Sequence, residues 1–256
     1  MPQVDAKLET QRQWNANPCG ADVAAELEHG SPAFFRSVEE HRYEVYAPWL
    51  KEAVGFHSFG GRRLLEIGPG LGTDHAQFAR AGAQTYAIDL TTTHLELTRR
   101  RFALEQLKTR LARADAESLP FAEASFDVVY SFGVLHHTPD TLKAIEEARR
   151  VLKPGGVAIV CRGIRRGELW TRGYERMLAD IEQGARESGA APLVKVLSRR
   201  QCRRLFARFR QVAVRSDHID FAHVFPSRPP SPPAPRRLVE KLAGRWGWYL
   251  TVIARK

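Results

Sequence analysis

The sequence predicts an α/β protein with a doubly wound, mostly parallel sheet. Apolar segments with the length and composition of buried strands alternate with segments whose apolar residues recur at helical spacing. The first of these strands, residues 64–67, runs directly into a glycine-rich turn and then into a helical segment. Polar residues follow the ends of several strands, and in a parallel sheet such ends meet at one edge. Alternation of this kind is typical of a parallel sheet covered by helices on both faces.

The elements follow one another in a regular order. The strands of the first part are predicted at 64–67, 84–89, 110–114, 126–131 and 157–161. The helices between them are predicted at 73–81, 93–107 and 139–152, and a turn at 153–156 precedes the fifth strand. Ser198 is the predicted N-cap of a further helix at 198–209. The remaining predictions are a strand at 211–215, a helix at 238–246 and a closing strand at 248–254.

The predicted organisation has four parts. A helical N-terminal cap covers residues 1–58, and an α/β core covers 59–161. An insertion or lid occupies 162–197, and residues 198–256 complete the core sheet. Six of the ten residues at 226–235 are proline, and proline has no amide hydrogen to give to a sheet. This stretch is therefore predicted to run over the surface.

Composition narrows the class of protein. A chain of 256 residues with 43% hydrophobic content can bury a full core. No leader or membrane-spanning segment is apparent in the sequence, so we expect a cytoplasmic protein. The cysteines, Cys19, Cys161 and Cys202, are an odd set with wide spacing, which argues against a disulfide framework and against a zinc cluster.

Charge is distributed unevenly. Residues 1–160 carry 18 basic and 21 acidic side chains, whereas residues 161–256 carry 21 and 8. A basic segment of this size suits nucleic acid, an anionic substrate or acidic lipid, or it is simply a solvated basic face in an arginine-rich chain. Charge alone leaves these alternatives open.

The glycine run is the most informative segment. Glycines at 68, 70 and 72 remove every Cβ from the turn and allow positive φ, so that backbone amides and the next helix start can approach a ligand. A dinucleotide fingerprint needs its third glycine one residue later, and a phosphate-binding P-loop needs a lysine before Thr73. Glu66, two residues before the first glycine, suits an amino group better than a phosphate.

Other acids have the spacing of a nucleotide pocket. Asp89 ends the second predicted strand, 21 positions after Gly68. At that distance the acid of a βαβ unit meets ribose hydroxyls. Asp115 and Ser131 come at the ends of the third and fourth predicted strands. We therefore expect Gly68, Asp89, Asp115 and Ser131 to converge on one crevice.

Five motifs in this order resemble the methyltransferase type 11 group of the class I S-adenosylmethionine-dependent methyltransferases. They are Glu66-Ile67-Gly68-Pro69-Gly70-Leu71-Gly72, Ala87-Ile88-Asp89-Leu90, Asp115-Ala116-Glu117-Ser118-Leu119-Pro120-Phe121, Ser125-Phe126-Asp127-Val128-Val129 and Val151-Leu152-Lys153-Pro154-Gly155-Gly156. The resemblance covers residues 62 to about 161. It implies a Rossmann-like methyltransferase fold whose seventh strand is antiparallel, and S-adenosylmethionine as cofactor.

The resemblance also implies roles for individual residues. Glu66 with Gly68, Gly70 and Gly72 would hold the methionine moiety, and Asp89 with the following Leu90 would hold the ribose. Asp115 and Ala116 would contact the adenine, and the Ser131 backbone would contact the amino group. The Arg42-Tyr43 pair resembles the N-terminal cap of some bacterial relatives, which places Tyr43 at the cofactor.

Two histidines are candidate general bases. His136 and His137 follow the fourth predicted strand, in the loop that should face the transferred methyl group. Imidazole titrates near neutral pH, and a general base contributes roughly 10²–10⁴-fold. Alternatively, one of them packs against or caps the helix entered at Pro139. No third ligand is near them in sequence, so we expect no metal site.

The acceptor is predicted least well. The leading interpretation is a small molecule, anionic or aromatic, methylated on oxygen in secondary-metabolite, quinone or sugar tailoring. The residues proposed to line its pocket are Phe34, Phe35, Trp49, Trp170, Tyr174, Phe225, Arg162, Arg165 and Arg166. RNA or protein bound through the basic C-terminal third is an alternative, although nucleic acid is disfavoured because no RNA-binding module is visible. A non-catalytic cofactor-binding scaffold is a third.

Overall fold

The computed structural model describes residues 3–162, 195, 197–217, 247 and 249–256. Within these residues, seven strands form one sheet in the order β3-β2-β1-β4-β5-β7-β6. The strands are β1 Arg63–Ile67, β2 Gln84–Asp89, β3 Thr109–Arg113, β4 Phe126–Phe132, β5 Leu152–Arg162, β6 Gln211–Asp217 and β7 Tyr249–Arg255. Strands β1 to β5 are parallel, and β7 pairs antiparallel with both β5 and β6. The predicted fold class and its antiparallel strand are confirmed.

Helices cover the sheet and extend beyond it. The α-helices are α1 Gln3–Ala16, α2 Pro32–Glu40, α3 Leu50–Val54, α4 Thr73–Arg80, α5 Thr92–Leu104, α6 Thr141–Val151 and α7 Arg199–Leu205. A π-helical turn, His41–Tyr46, follows α2 directly. The Ser198 hydroxyl accepts a hydrogen bond from the Gln201 amide, and the Gln201 side-chain oxygen accepts one from the Ser198 amide. The predicted N-cap is therefore present as a capping box.

Both faces of the sheet are buried, as the near-continuous apolar strands require. Neighbouring residues point to opposite faces, so Leu64 and Leu65 are both fully buried but belong to different core clusters. One cluster packs α6 and α7 against the sheet, and the other packs α3 and Phe78 of α4. This two-sided core holds the strand ends in fixed relative positions.

The N-terminal part has a small core of its own. Phe34 and Phe35 are 0% and 3% exposed and pack with Val38 and Leu71. Both had been expected to line an acceptor pocket, and that expectation is wrong: the two rings pack the inside of the cap, because helix α2 turns its apolar side inward. Arg101 of α5, 1% exposed, binds Glu39 of α2 and so ties the cap to the core.

Some predicted boundaries differ from the structure. Strand β5 begins at Leu152 rather than 157, because Leu152 pairs with Phe126 across a register shift. Helix α5 ends at Leu104 rather than 107, since the chain turns through Gln106 at φ 54°. Of the predicted features, the helix at 238–246, the proline-rich 226–235 and nearly all of the 162–197 insertion lie outside the described residues. The four-part domain division stays a prediction.

Candidate functional site

The glycine turn after β1 is built as the spacing predicted. Gly68, Gly70 and Gly72 have φ values of +76°, +56° and +74°, in the region that L side chains rarely adopt. The Gly68 amide donates to the Ile88 carbonyl at 2.8 Å, which binds the turn to β2. A Cβ on Gly68 would lie 2.3 Å from Val134 Cγ2, whereas one on Gly70 would meet nothing within 4 Å. Space is therefore open above Gly70.

That space belongs to a cavity of about 490 Å³ at the carboxyl ends of the strands. Its volume is in the usual range for a small-molecule site. Of the predicted site residues, it is lined by Glu66, Gly68, Gly70, Asp89, Leu90, Asp115, Ala116, His136 and His137. Strand ends that are distant in sequence thus converge on one crevice.

The other predicted residues lie behind the cavity wall. The buried Tyr43 hydroxyl donates to Asp74 Oδ1 at 2.8 Å, and the buried Ser131 hydroxyl donates to the Ile67 carbonyl at 3.0 Å. Gly72 is the N-cap residue of α4. Contact of these three with a cofactor stays a prediction, and their observed role is to support the wall.

Asp89 is held firmly at the end of β2. Its Oδ1 accepts from both the amide and the hydroxyl of Thr91, each at 2.9 Å, and its side chain is 8% exposed. His94 Nδ1 lies 3.3 Å from Asp89 Oδ2. The other nitrogen of His94 accepts from the Cys19 amide at 3.2 Å, so a neutral His94 carries its proton on the side of Asp89. This carboxylate is oriented from three sides.

Asp115 is engaged by the N-terminal helix. Its Oδ1 accepts from the Glu117 amide at 2.8 Å, and its Oδ2 lies 2.6 Å from Lys7 Nζ. Lys7 also reaches Glu117 Oε2 at 2.5 Å. Burial opposes the charge of Lys7, yet the hydrogen bonds to the two carboxylates raise its pKa above the usual value. Sequence reasoning missed Lys7, because nothing in the order of motifs links it to residues more than 100 positions away.

Glu66 is buried beside a histidine. Its Oε2 lies 2.9 Å from Nδ1 of His75, and both side chains are at most 2% exposed. Burial, with the nearby charge of Asp74, raises the pKa of Glu66 well above its usual value. Burial also lowers the pKa of His75, to about 3. Each shift favours the neutral form of its side chain, so the buried pair avoids an unpaired charge.

Asp74, in the first turn of α4, is the centre of a buried polar cluster. It accepts from Arg42 Nη2 at 2.5 Å, from Tyr43 and from the Tyr130 hydroxyl at 2.7 Å. The Arg42 guanidinium lies 3.9 Å from the ring centroid of Phe132, a cation–π contact. Arg42, Phe132 and Tyr46 all line the cavity. This part of the wall is aromatic and carries one paired cation.

The two predicted bases lie in the 3-10 turn Leu135–His137 that follows β4. Their ring centroids are 4.0 Å apart, and Trp14 of α1 meets His137 edge-on at 5.9 Å. Among the described residues, no group of three His, Cys, Asp or Glu side chains is arranged to hold a metal ion. The described helices are also too short or too polar to cross a membrane.

The three fully described residues of the proposed acceptor pocket, Phe34, Phe35 and Trp49, do not line the cavity. Trp49 packs against Phe132 and Tyr249 with ring centroids 6.4 Å and 5.5 Å away, and does not line the cavity. Trp170, Tyr174, Phe225, Arg165, Arg166 and the side chain of Arg162 lie outside the described residues. Tyr46 and Phe132, which line the cavity, are aromatic residues that the sequence did not single out.

The polar groups that line the cavity fit the predicted cofactor. Asp89 accepts from its own loop with one oxygen and offers lone pairs that a ribose diol can fill, while Glu66 is a carboxyl group within reach of an amine. The open space above Gly70 lets a bulky ligand come close to the backbone of the turn. These are the groups that the resemblance requires at these positions.

Comparisons with known proteins agree with this geometry. A family model described as a methyltransferase domain matches residues 65–160. The demethylmenaquinone methyltransferase of Clavibacter sepedonicus is 41% identical over 102 residues, which are 40% of this chain and 41% of that protein. Methyltransferase GfsG of Streptomyces halstedii is 35% identical over 112 residues, 43% of this chain and 40% of its own. The chain therefore spans less than half the length of these two relatives.

Solved structures resemble the whole architecture. A SAM-dependent methyltransferase from Aquifex aeolicus superposes with a TM-score of 0.56 at 16% identity, covering 88% of this chain and 98% of that one. The [4+2]-cyclase SpnF superposes with a TM-score of 0.62 at 18% identity, covering 98% and 96%. At such identities the likeness concerns the fold alone. Residues 65–160 therefore match the methyltransferase domain that the five sequence motifs resemble.

Proposed function

We propose that this chain transfers the methyl group of S-adenosylmethionine to oxygen on a small-molecule acceptor. One observation carries the proposal: a single cavity runs from the glycine turn and Asp89 to the His136–His137 turn and Phe132. A cofactor bound at one end and an acceptor at the other would meet inside the same enclosed space. Such shared confinement is the main requirement of group transfer between two bound molecules.

The residues at the cofactor end would bind and orient. Asp89 would accept hydrogen bonds from the ribose hydroxyls, and Ala116 with Leu90 would pack against the base and sugar. When bound, S-adenosylmethionine supplies a methyl group already activated on a sulfonium. The protein then has to align the acceptor behind that methyl group and exclude water. Trp14, Tyr46 and Phe132 give the apolar wall for that exclusion.

An acceptor hydroxyl would lose a proton during transfer. His136 and His137 stand in the turn after β4, and both line the cavity. Either imidazole could take the proton at a ring nitrogen. An acidic phenol or carboxylate would need no base, so the cost of replacing each histidine distinguishes these acceptors.

The wall near the histidines favours a planar acceptor. Phe132 and Tyr46 present aromatic surface, with ring centroids 6.3 Å apart, and Arg42 lies over the Phe132 ring. Rings pack well on such surfaces in offset or edge-to-face geometry. One relative is named for its action on demethylmenaquinone, a ring compound, which agrees with an aromatic acceptor.

Transfer of radiolabelled methyl from S-adenosylmethionine into host extract tests the proposal. The extract would be separated into small-molecule, lipid, protein and RNA fractions, with Asp89→Ala as the binding-deficient control. We expect label in the small-molecule or lipid fraction that disappears with the variant. Label that persists with Asp89→Ala would show either that another activity produced it or that Asp89 does not bind the cofactor, and the proposal as stated would fail.

A second candidate acceptor is RNA or protein, because one region is strongly basic. Arg200, Arg203, Arg204, Arg208 and Arg210 are exposed in and just after α7. In the same assay this candidate predicts label in RNA or protein, and substrate binding that weakens steeply with salt. If binding is insensitive to salt, these arginines are a solvated face.

A third candidate is a scaffold that binds the cofactor without transferring a methyl group. The similarity in fold to a protein named as a cyclase illustrates that this architecture does not fix one reaction. Tight binding of S-adenosylhomocysteine with no label in any fraction would favour it. The intact carboxylates at 66, 89 and 115 argue for a working cofactor site.

A further inference from the structure

A chain of hydrogen bonds leads from the cavity into the core. Glu66, which lines the cavity, meets His75 Nδ1 at 2.9 Å, and His75 Nε2 meets the Thr109 hydroxyl at 2.8 Å. That hydroxyl in turn lies 3.1 Å from the Thr85 carbonyl oxygen. His75 is 0% exposed and does not line the cavity. Among the described residues, the hydrogen bonds of His75 therefore reach the ligand space through Glu66.

Counting protons along this chain gives two complete arrangements. In the first, Thr109 donates to the Thr85 carbonyl, His75 Nε2–H donates to Thr109, and a protonated Glu66 donates to Nδ1. In the second, Thr109 donates to Nε2, and Nδ1–H donates to an ionised Glu66. The two differ by one proton and by the direction of the two hydrogen bonds of His75, and the bond from Thr109 to the Thr85 carbonyl exists only in the first.

The surroundings of the pair favour the protonated arrangement while the cavity lacks a cation. Asp74 on α4 and Asp89 on β2 act as like charges on Glu66, and Arg42 on the π-helical turn is the opposing cation. Arg42 is itself paired with Asp74 at 2.5 Å. The Tyr130 hydroxyl on β4 also donates to Asp74, and the Phe102 ring of α5 covers His75 at 5.0 Å. An ionised Glu66 would thus stand in a buried, net-acidic environment.

We infer that Glu66 and His75 share one proton, which is released to solvent when the ammonium group of the cofactor binds. His75 is a positioning residue: it holds Glu66 and reverses its own hydrogen bonds, so that the carboxylate forms only when a cation is present. This inference rests on the proposed function, in which Glu66 receives the amino group. Cofactor affinity then rises with pH until Glu66 is ionised in the free protein.

Calorimetry of S-adenosylhomocysteine binding tests the release. At pH 7, the binding heats measured in phosphate and in Tris differ in proportion to the number of protons released. We expect up to one proton per ligand. Between pH 5.5 and 7, where the ligand amine stays protonated, affinity should rise by as much as tenfold per pH unit. Other ionisable groups can add to the total, so the relevant part is what Glu66→Gln abolishes. Proton release that persists in Glu66→Gln would overturn the inference.

Two histidine variants separate positioning from simple packing. We expect His75→Gln to move the pH at which affinity falls, because an amide cannot bind or lose the shared proton. A residue that only packed would lower affinity by the same factor at every pH, and that result would overturn the role given to His75. His57→Gln, at an exposed position, is the matched control and should leave the profile unchanged.

A measurement on the free protein keeps the two proposals separate. With glutamate labelled at the carboxyl carbon, the NMR signal lost in Glu66→Gln should titrate well above the ordinary glutamate pKa of about 4.3. Titration together with the other glutamates would overturn the inference alone. Failure of S-adenosylhomocysteine to bind would overturn the proposed function, and the coupled release with it.

Discussion

The cavity has two walls of different construction. The sheet wall consists of Glu66, Gly68, Gly70, Asp89 and Asp115, which lie at or directly after the ends of strands. It is held by backbone hydrogen bonds, such as the one from Gly68 to Ile88 at 2.8 Å, and by five β1–β2 residue pairs in register. The positions of its backbone atoms are set by the sheet itself.

The cap wall consists of Lys7, Trp14, Arg42 and Tyr46. It is held by side chains that reach across the chain, from Lys7 to Asp115 and from Arg42 to Asp74. Asn15 adds a third tie, because its Oδ1 accepts from the first-turn amide of Thr92 at 3.1 Å. A wall fixed by a few ion pairs can be loosened by one substitution, whereas a wall fixed by a sheet resists all but steric changes.

The largest effect is expected where the cap wall is buried. Arg42→Met leaves the Asp74 carboxylate, 5% exposed, with two tyrosine hydroxyls as its hydrogen-bonding side chains in the described part of the chain. Removing one partner of a buried ion pair lowers the free energy of unfolding by about 3–5 kcal/mol. Urea denaturation followed by circular dichroism would measure it. Arg100→Met is the matched control, since Arg100 is 51% exposed in its pair with Glu28 and should lose less than about 1 kcal/mol.

The sheet wall should be vulnerable only to steric change. Gly68→Ala combines a positive φ with a Cβ 2.3 Å from Val134 Cγ2. Gly61→Ala, at φ +72° with nothing within 4 Å, has the same backbone strain without the clash. We expect the control to lose about 1–2 kcal/mol of stability and Gly68→Ala about 1–3 kcal/mol more. Equal thermal stabilities for the two variants would show that Val134 moves aside.

The difference between the walls explains what the sequence could predict. Strand β2 was predicted at its observed bounds of Gln84–Asp89, and β7 was expected to be antiparallel. Asp89 and Asp115 follow strand ends, so their convergence is a consequence of parallel order and could be inferred from spacing. Only the ligand contacts of these residues remain predictions.

The cap wall could not be inferred in the same way. Lys7, Arg42 and Tyr46 reach the cavity through tertiary contacts that no local period records, and a π-helical turn has no sequence signature. Phe34 and Phe35 were misassigned for the same reason, because an aromatic residue that packs a cap core and one that lines a pocket look identical in sequence. Local pattern gives the face of a helix but not the partner that the face meets.

Ligand binding should depend most on the sheet wall. Asp89→Ala deletes charge-assisted hydrogen bonds to two ribose hydroxyls, and we expect S-adenosylhomocysteine to bind about 2 kcal/mol more weakly, roughly 30-fold. Calorimetry gives the affinity, and unchanged circular dichroism would show that the fold survives. His94→Gln, which changes a group that orients Asp89, should lose less. An Asp89→Ala variant that binds as well as the parent would refute the assigned ribose site.

The smallest effect is expected at the exposed end of the cap wall. The Lys7 side chain is 27% exposed, and its buried partner Glu117 keeps a hydrogen bond from the Asp140 amide, so we expect the loss of Lys7 to cost no more than about 1 kcal/mol. Lys7→Met should therefore leave thermal stability nearly unchanged but release bound S-adenosylhomocysteine up to about fivefold faster in stopped-flow experiments, because α1 then closes the cavity less tightly. Arg12→Met, exposed on the same helix, is the control and should not alter the rate. A slower release would mean the opposite: that Lys7 competes with the adenine for Asp115, and that the cap wall opposes binding rather than retaining the ligand.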